Sequence, residues 1–413
     1  MTSAALPKMG DRLGAYALFA AVLSGAGLPI YIYAPKFYAD TYGVSLATLG
    51  TVLFVLRLLD VVQDPVLGWV SERLGAARKF AVSAGALILA LSMLGLFGIT
   101  PPISPVWWFG LMITGLFSAF SFLTINFYAQ GITKARDLGD AHTRVAAWRE
   151  TGALLGVCVA AVTPTLLEGV ISAPFAAFAA GFAGVTIIAA SLMAPEWPGE
   201  VEQEPTAIGA ILKDKVARRL LLLALVNATP LAVSSTLFLF YVESRLGAPG
   251  WEGPLLVLFF LAAAASAPLW ARGADRWGEK PMLLSAMVMA IAAFGCVMFL
   301  GAGDVWIFAA ICVASGATIG ADLTLLPALF ARRMAAISPN GGQGFGLWSL
   351  VSKFTLAFAA AILLPVLEAQ GFQSGAAENP ADALTTLTIL YALVPCALKL
   401  VAIGLLLATP LKE

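Results

Sequence analysis

The chain has 413 residues, of which 60% are hydrophobic and 12% charged, with 24 basic side chains balanced by 24 acidic ones and a single histidine. So much apolar surface excludes a water-soluble globular domain and predicts a polytopic membrane protein. The charge balance and its scatter over short loops exclude nucleic acid as a partner, leaving membrane lipids and a small-molecule substrate.

Twelve apolar stretches fall at about residues 13–38, 46–70, 79–99, 106–133, 140–167, 174–194, 217–244, 251–272, 281–301, 304–330, 341–367 and 384–409. Each can cross a hydrocarbon core of about 30 Å as a helix, so the fold class is all-α with 12 transmembrane helices. Span one follows Lys8 and Arg12, contains Pro29 and Pro35, and has no small-residue cleavage site; it is a retained helix rather than a signal peptide. Basic residues collect in alternate connections, at Arg73, Arg78 and Lys79, at Lys134, Arg136 and Arg144, at Lys213, Lys215, Arg218 and Arg219, at Arg272, Arg276 and Lys280, and at Arg332 and Arg333. The opposite side has Arg245 and little else. By the positive-inside rule both termini are cytoplasmic, in a bacterial-type inner membrane.

Span two reads Arg57-Leu-Leu-Asp60-Val-Val-Gln63-Asp64-Pro65. At 100° per residue, Arg57, Asp60 and Asp64 fall within about 60° of arc and face one cavity or partner helix. A charge at the bilayer centre costs about 3 kcal/mol even on lenient scales, so the cluster is paired, hydrated or bound to something. Two carboxylates one turn apart repel when both are ionised, which favours a shared proton or a Na⁺ held by Asp60 and Asp64, with Gln63 as a further oxygen. Pro65 removes an amide donor, freeing the carbonyl of Val61. The competing reading is a structural Arg57–Asp60 pair, with Asp64 serving the loop beyond.

Span five carries the adjacent charges Arg149 and Glu150, which point about 100° apart and so are not expected to satisfy each other. Arg149 suits an anionic or hydroxylated substrate or, equally, a salt bridge. Spans ten and eleven bring Asp322 and Lys353, a plausible pair, and Lys399 near the end of span twelve is expected to snorkel. Tyr31, Tyr33, Asn126, Tyr128, Gln130, Asn227, Thr229, Trp348 and Ser352 suit a polar cavity, although aromatic side chains also form interfacial belts. His142 reads as a solvated loop residue. Cys158, Cys296, Cys312 and Cys396 read as buried packing groups without metal-ligand spacing.

Glu196-Trp-Pro-Gly-Glu-Val-Glu-Gln-Glu-Pro205 is the longest polar stretch, and it divides the chain into six-helix halves at 1–194 and 217–413 joined by a cytoplasmic linker at 195–216. Gly68-Trp-Val-Ser-Glu72-Arg73-Leu-Gly75 recurs 203 residues on as Ala271-Arg-Gly-Ala-Asp275-Arg276-Trp-Gly278. These loops resemble the cytoplasmic signature of the major facilitator superfamily. That resemblance implies a latch formed in the outward-facing state, with Glu72, Arg73, Asp275 and Arg276 in gating roles; a simple positive-inside turn is the alternative.

Within the superfamily, Arg57-x-x-Asp60-x-x-x-Asp64-Pro65-x-x-Gly68 resembles the second helix of the glycoside-pentoside-hexuronide:cation symporters, the melibiose-permease group. Phe37-Tyr-Ala-Asp-Thr-Tyr-Gly-Val-Ser45 and Gly346-Leu-Trp348-Ser-Leu-Val-Ser-Lys353 look like its first external loop and eleventh helix. The resemblance implies a cation site at Asp60 and Asp64 and a substrate arginine at Arg149. The chain departs from the group where its sugar-transporting members carry further acids: Ser24 stands at the first-helix position and Thr124 at the fourth-helix one. Those departures favour H⁺ over Na⁺ and weaken galactoside recognition, because sugar hydroxyls are usually held by carboxylates.

The expectation is a monomeric, cation-coupled (H⁺ or Na⁺) symporter of a small polar solute such as a sugar or glycoside, with no cofactor. Asp60, Asp64, Gln63 and Thr124 are assigned to coupling. Ser24, Asn126, Tyr128, Arg149, Asp322, Trp348 and Lys353 are assigned to the substrate. The alternative is a proton-driven exporter or a lipid or amphiphile transporter of the same fold. An enzyme is disfavoured, since no metal motif, nucleophile elbow or nucleotide loop is visible.

Overall fold

The computed structural model describes residues 12–27, 33–167, 170–197, 207–338, 340–372 and 379–410, with no strand among them. The first six-helix bundle comprises α1 (Leu13–Gly25), α2 (Ala34–Tyr42), α3 (Leu46–Arg73), α4 (Arg78–Phe97), α5 (Pro105–Asp137), α6 (His142–Leu167) and α7 (Pro174–Met193), with α1 and α2 both belonging to span one. A short α8 (Ile208–Lys213) precedes the second bundle: α9 (Lys215–Phe240), α10 (Glu252–Trp277), α11 (Glu279–Gly295), α12 (Val305–Ile337), α13 (Gly342–Ala369), α14 (Ala381–Thr388) and α15 (Val394–Ala408). Nine helices among the described residues are long and apolar enough to cross a membrane. Span one, α3 and α13 complete the twelve.

Local chemistry sets the helix ends. The Ser45 hydroxyl accepts from the Thr48 amide at 3.2 Å to start α3, and the Asp214 carboxylate accepts from the Ala217 amide at 2.7 Å to start α9. Asp214 also takes the Arg333 guanidinium, with Nε at 2.9 Å, and this hydrogen bond holds its carboxyl below the ordinary range. Gly43 ends α2 at φ 66°, a conformation that a side chain would strain. Spans seven and twelve are not uniform α-helix: π-turns at Tyr241–Arg245 and Ile389–Leu393 bring Tyr241 and Tyr391 into a stack with centroids 4.3 Å apart.

Packing distinguishes the two ends of the molecule. The first bundle has an apolar core along its whole length, and the second has one towards the end away from the basic connections. One runs from Leu13 and Phe19 through Phe97 and Phe109 to Trp197; the other runs from Ala232 through Tyr241 and Phe308 to Ala392. At the basic end a shared core joins Ile125, Ala129 and Ile132 of α5 to Leu221, Leu325, Leu329 and Phe345 of the second bundle. A smaller contact sets Leu154 of α6 against Ala263 and Ala264 of α10. The bundles therefore share a core at the basic end and share none at the other.

Glycine makes the closest seam between them. A Cβ on Gly68 of α3 would stand 2.6 Å from the Gly342 carbonyl oxygen, and one on Gly346 of α13 would stand 2.9 Å from the Asp64 oxygen. Only residues without a side chain allow these backbones to touch. His142 is not a solvated loop residue, because it starts α6 at this junction and is 3% exposed. The four cysteines are free; Cys158 and Cys312 are buried, whereas Cys296 lies on the outer surface.

Candidate substrate and coupling site

The charged face of α3 meets α5 and α13. Lys353 of α13 places its Nζ 2.8 Å from Asp60 Oδ1 and 2.9 Å from Asp64 Oδ1, so one ammonium serves two carboxylates. Hydroxyls complete the arrangement. Ser121 donates to Asp60 Oδ1 at 2.7 Å and accepts from Lys353 at 2.6 Å, while Ser349 donates to Asp64 Oδ2 at 2.6 Å. Asp60 is 3% and Asp64 0% exposed. With both acids ionised the described side chains of the cluster carry one net negative charge in a setting where unbalanced charge is costly.

The expected pairing of Lys353 with Asp322 is thus replaced by a tie between the two bundles. Gln63 does not offer its carbonyl to the carboxylates: its Nε2 donates to Asp60 Oδ1 at 2.9 Å and its Oε1 accepts from Ser118 at 3.1 Å. The Arg57 side chain lies outside the described residues. Sequence reasoning missed Ser118, Ser121 and Ser349 as members of the cluster. A signal existed, because Ser118 and Ser121 share a face of α5 and Ser349 sits one turn before Lys353.

A cavity of about 190 Å³ opens beside Lys353, lined by Phe120, Thr124, Ile125 and Tyr128 of α5 and by Phe345, Trp348, Ser349 and Ser352 of α13. Thr124 Oγ1 is buried without a hydrogen-bond partner among the described residues, so it retains the capacity to bond a guest. Tyr128 donates to Glu150 Oε1 at 3.1 Å, and the Arg149 guanidinium stacks 3.7 Å from the Tyr128 ring centroid. Arg149 Nε donates to Glu150 Oε1 at 2.8 Å. The two adjacent residues do pair, contrary to expectation, although that contact does not use all of either group, since Glu150 also accepts from Tyr128. Arg149 Nη2 remains buried and unpartnered. The cavity therefore combines an aromatic wall, hydroxyls and an ammonium at one side, with a guanidinium behind Tyr128.

Three other residues assigned to the substrate lie elsewhere. Asn126 accepts from Ser71 of α3 at 2.8 Å and donates to the Phe122 carbonyl of its own helix at 2.8 Å, so both ends of its amide are used. Ser24 is half-buried in the last turn of α1, apart from the cavity lining. Asp322 faces the interior of the second bundle, where it pairs with Lys399. Lys399 does not snorkel and is 5% exposed.

At the basic end, Glu72 Oε1 accepts from the Gln343 amide at 2.8 Å, reaching the first turn of α13 in the other bundle. Its repeat partner Asp275 accepts from Thr143 at 2.9 Å, at the first turn of α6. In each copy the acid crosses between bundles, and the arginine stacks on a tryptophan of its own helix: Arg73 lies 3.7 Å from the Trp69 ring centroid, and Arg276 lies 5.0 Å from that of Trp277. Carboxylates at helix N-termini and cation–π contacts are each worth about 0.5–1 kcal/mol, which suits bonds that form and break in a cycle.

Two bundles closed at one end, with paired acids at their seam, define a polytopic transporter of the major facilitator superfamily. The family model described as MFS/sugar transport protein matches residues 14–413, and the chain belongs to that family. Its match is consistent with the melibiose-permease resemblance. A bacterial homologue of the iron transporter ferroportin, in an outward-facing state, is similar at 14% identity and a TM-score of 0.69, covering 96% of this chain and 98% of that one. The human organic anion transporter MFSD10 (TETRAN) is similar at 16% identity and a TM-score of 0.65, covering 95% of this chain and all of that one.

Proposed function

We propose that the protein is a cation-coupled symporter of a small polar solute such as a sugar or glycoside, working by alternating access, with H⁺ as the coupling ion. The observation that carries this reading is the single ammonium of Lys353 between Asp60 and Asp64 at 2.8 and 2.9 Å, which leaves the described side chains of the cluster one positive charge short. A proton on either carboxylate supplies that charge without displacing Lys353. Na⁺ would have to enter the space the ammonium already fills, so it is the weaker candidate. Neutralising one acid weakens the tie between bundles, and that lets them rock about the cavity where Thr124, Tyr128, Trp348 and Arg149 meet the solute. With the basic connections in the cytoplasm of a bacterial-type inner membrane, the closed end faces inward and the conformation is open to the outside.

The test is counterflow and gradient-driven uptake of a panel of labelled sugars and glycosides in proteoliposomes. An inward-directed pH gradient is expected to accelerate uptake of the accepted solute at least about tenfold, equivalent to 1.4 kcal/mol, and Asp64→Asn to abolish that acceleration while preserving folding. Uptake by Asp64→Asn at the wild-type gradient-driven rate would end this reading. One observation favours a second reading, transport of an amphiphile. A crevice of about 410 Å³ lies between α6 and α10, lined by Arg144, Trp148, Arg272 and Asp275, and Trp148 is 46% exposed. Acceleration by a pH gradient of a lysolipid, and of no sugar in the panel, would select it.

A further inference from the structure

The second bundle contains an ionisable cluster that the coupling site does not use. Asp322 of α12 pairs with Lys399 of α15, and Lys399 Nζ donates to Asn227 Oδ1 of α9 at 2.7 Å. Asp322, Lys399 and Asn227 are 6%, 5% and 4% exposed. Asp322 Oδ1 has no hydrogen-bond partner among the described residues, so the carboxylate is bonded on one side only. A pair that merely fastened three helices would be expected to use both oxygens or to be sealed by apolar packing. This one borders a cavity of about 70 Å³, room for several water molecules.

The cavity leads away from the basic end. It shares Leu231, Ser234, Phe259, Phe294 and Ser315 with a second cavity that continues past Phe308 and Tyr391 in the separate outer core. Ser234, Ser315 and Thr318 donate their hydroxyl protons to carbonyls of their own helices, leaving lone pairs to accept from water. Pro230 and Pro327 interrupt α9 and α12, and each removes the amide that would bond a carbonyl one residue from the cluster, at Val226 and Leu323. The helices that carry Asn227 and Asp322 are thus hinged beside them.

We infer that Asp322, Lys399 and Asn227 form a second proton-binding site, within the second bundle and reached over water from the end opposite the basic connections. A proton on the free Oδ1 of Asp322 neutralises the carboxylate, while Lys399 keeps its charge and its bond to Asn227. No bond other than O–H forms, and the proton comes from water. Asn227 is what makes this possible, since it gives the ammonium an acceptor once the carboxylate is neutral. Among the described residues, Lys399 is the one charged side chain facing Asp322 across the cavity. From α10 and α11 the lining is Phe259, Ala290, Ile291 and Phe294, and Cys396 adds a thiol from α15. On the α6 side Leu154 packs against the helix, and Arg149 and Glu150 pair with each other.

The test is infrared difference spectroscopy of the full chain in lipid nanodiscs, titrated from about pH 8 to pH 4. The readout is the carbonyl stretch of a protonated carboxyl, absent when the group is ionised. In an Asp60→Asn, Asp64→Asn background the band is expected to appear on acidification, and adding Asp322→Asn is expected to remove it. Should the single exchange prevent folding, Asp322→Asn with Lys399→Gln leaves no buried charge and gives the same readout. A band of equal size with and without Asp322 would overturn the proposal, as would a background in which no such band appears.

Discussion

Lys353 is the residue on which the two bundles depend. Removing one partner of a buried ion pair costs about 3–5 kcal/mol, most of it from the charge left behind. Lys353→Gln strands two carboxylates, which hold Ser121 and Ser349 but no other cation among the described side chains. The variant is expected to lower the unfolding midpoint in detergent, and adding Asp64→Asn is expected to restore more than half of the loss; equal midpoints for the single and double variants would contradict the shared-ammonium arrangement. Asp60 and Asp64 were legible in the sequence because ionisable groups in an apolar run stand out by their cost. Lys353 stood out equally, yet its partner did not. A single chain says which groups need neutralising, and the packing of α3 on α13 decides which ones meet. The serines gave only a weak signal, their spacing, because small hydroxyl residues are common wherever membrane helices pack closely.

At the scale of elements, the seam between α3 and α13 differs from the contacts within a bundle. Gly68 and Gly346 face backbone across the seam, so a methyl group there has no flexible side chain to displace. Gly68→Ala is expected to push the basic ends apart without unfolding either bundle. Spin labels at the exposed positions Ala77 and Ala336 should then report a longer distance than in the wild type; an unchanged distance in a folded variant would show that the seam relaxes elsewhere. Gly152, by contrast, abuts the backbone of Ala17 between α6 and α1 inside the first bundle, where Ala is expected to reduce folded yield instead. Span number and order were readable because length and apolarity are set by the bilayer. The π-turns were not, since the hydrogen-bond register within a uniformly apolar run leaves no trace in composition. Nor were the helix overhangs to Asp137 and Ile337, which lie past the last apolar residues of their spans.

For the whole molecule, the repeat at Glu72 and Asp275 foretold two related bundles, and the structure adds how unevenly they touch: a common core at the basic end and none at the other. Each bundle has a core of its own, but the cluster of Asp60, Asp64 and Lys353 does not belong to either. Lys353 lies 289 residues beyond Asp64. A growing chain therefore inserts its second helix, and closes its first bundle, long before the ammonium that will neutralise those acids has been synthesised. Until span eleven arrives, Asp60 and Asp64 have to wait without Lys353, as protonated acids, beneath a film of water or against Arg57 of their own helix. The first bundle expressed alone is accordingly expected to accumulate several-fold better with Asp60→Asn and Asp64→Asn than without them, while the full-length chain gains nothing from the same exchange; immunoblots of membrane fractions would decide. The acids assigned here to coupling in the finished protein are also the groups that make its biosynthesis hazardous, and a borrowed proton is one resolution of the difficulty in the nascent chain.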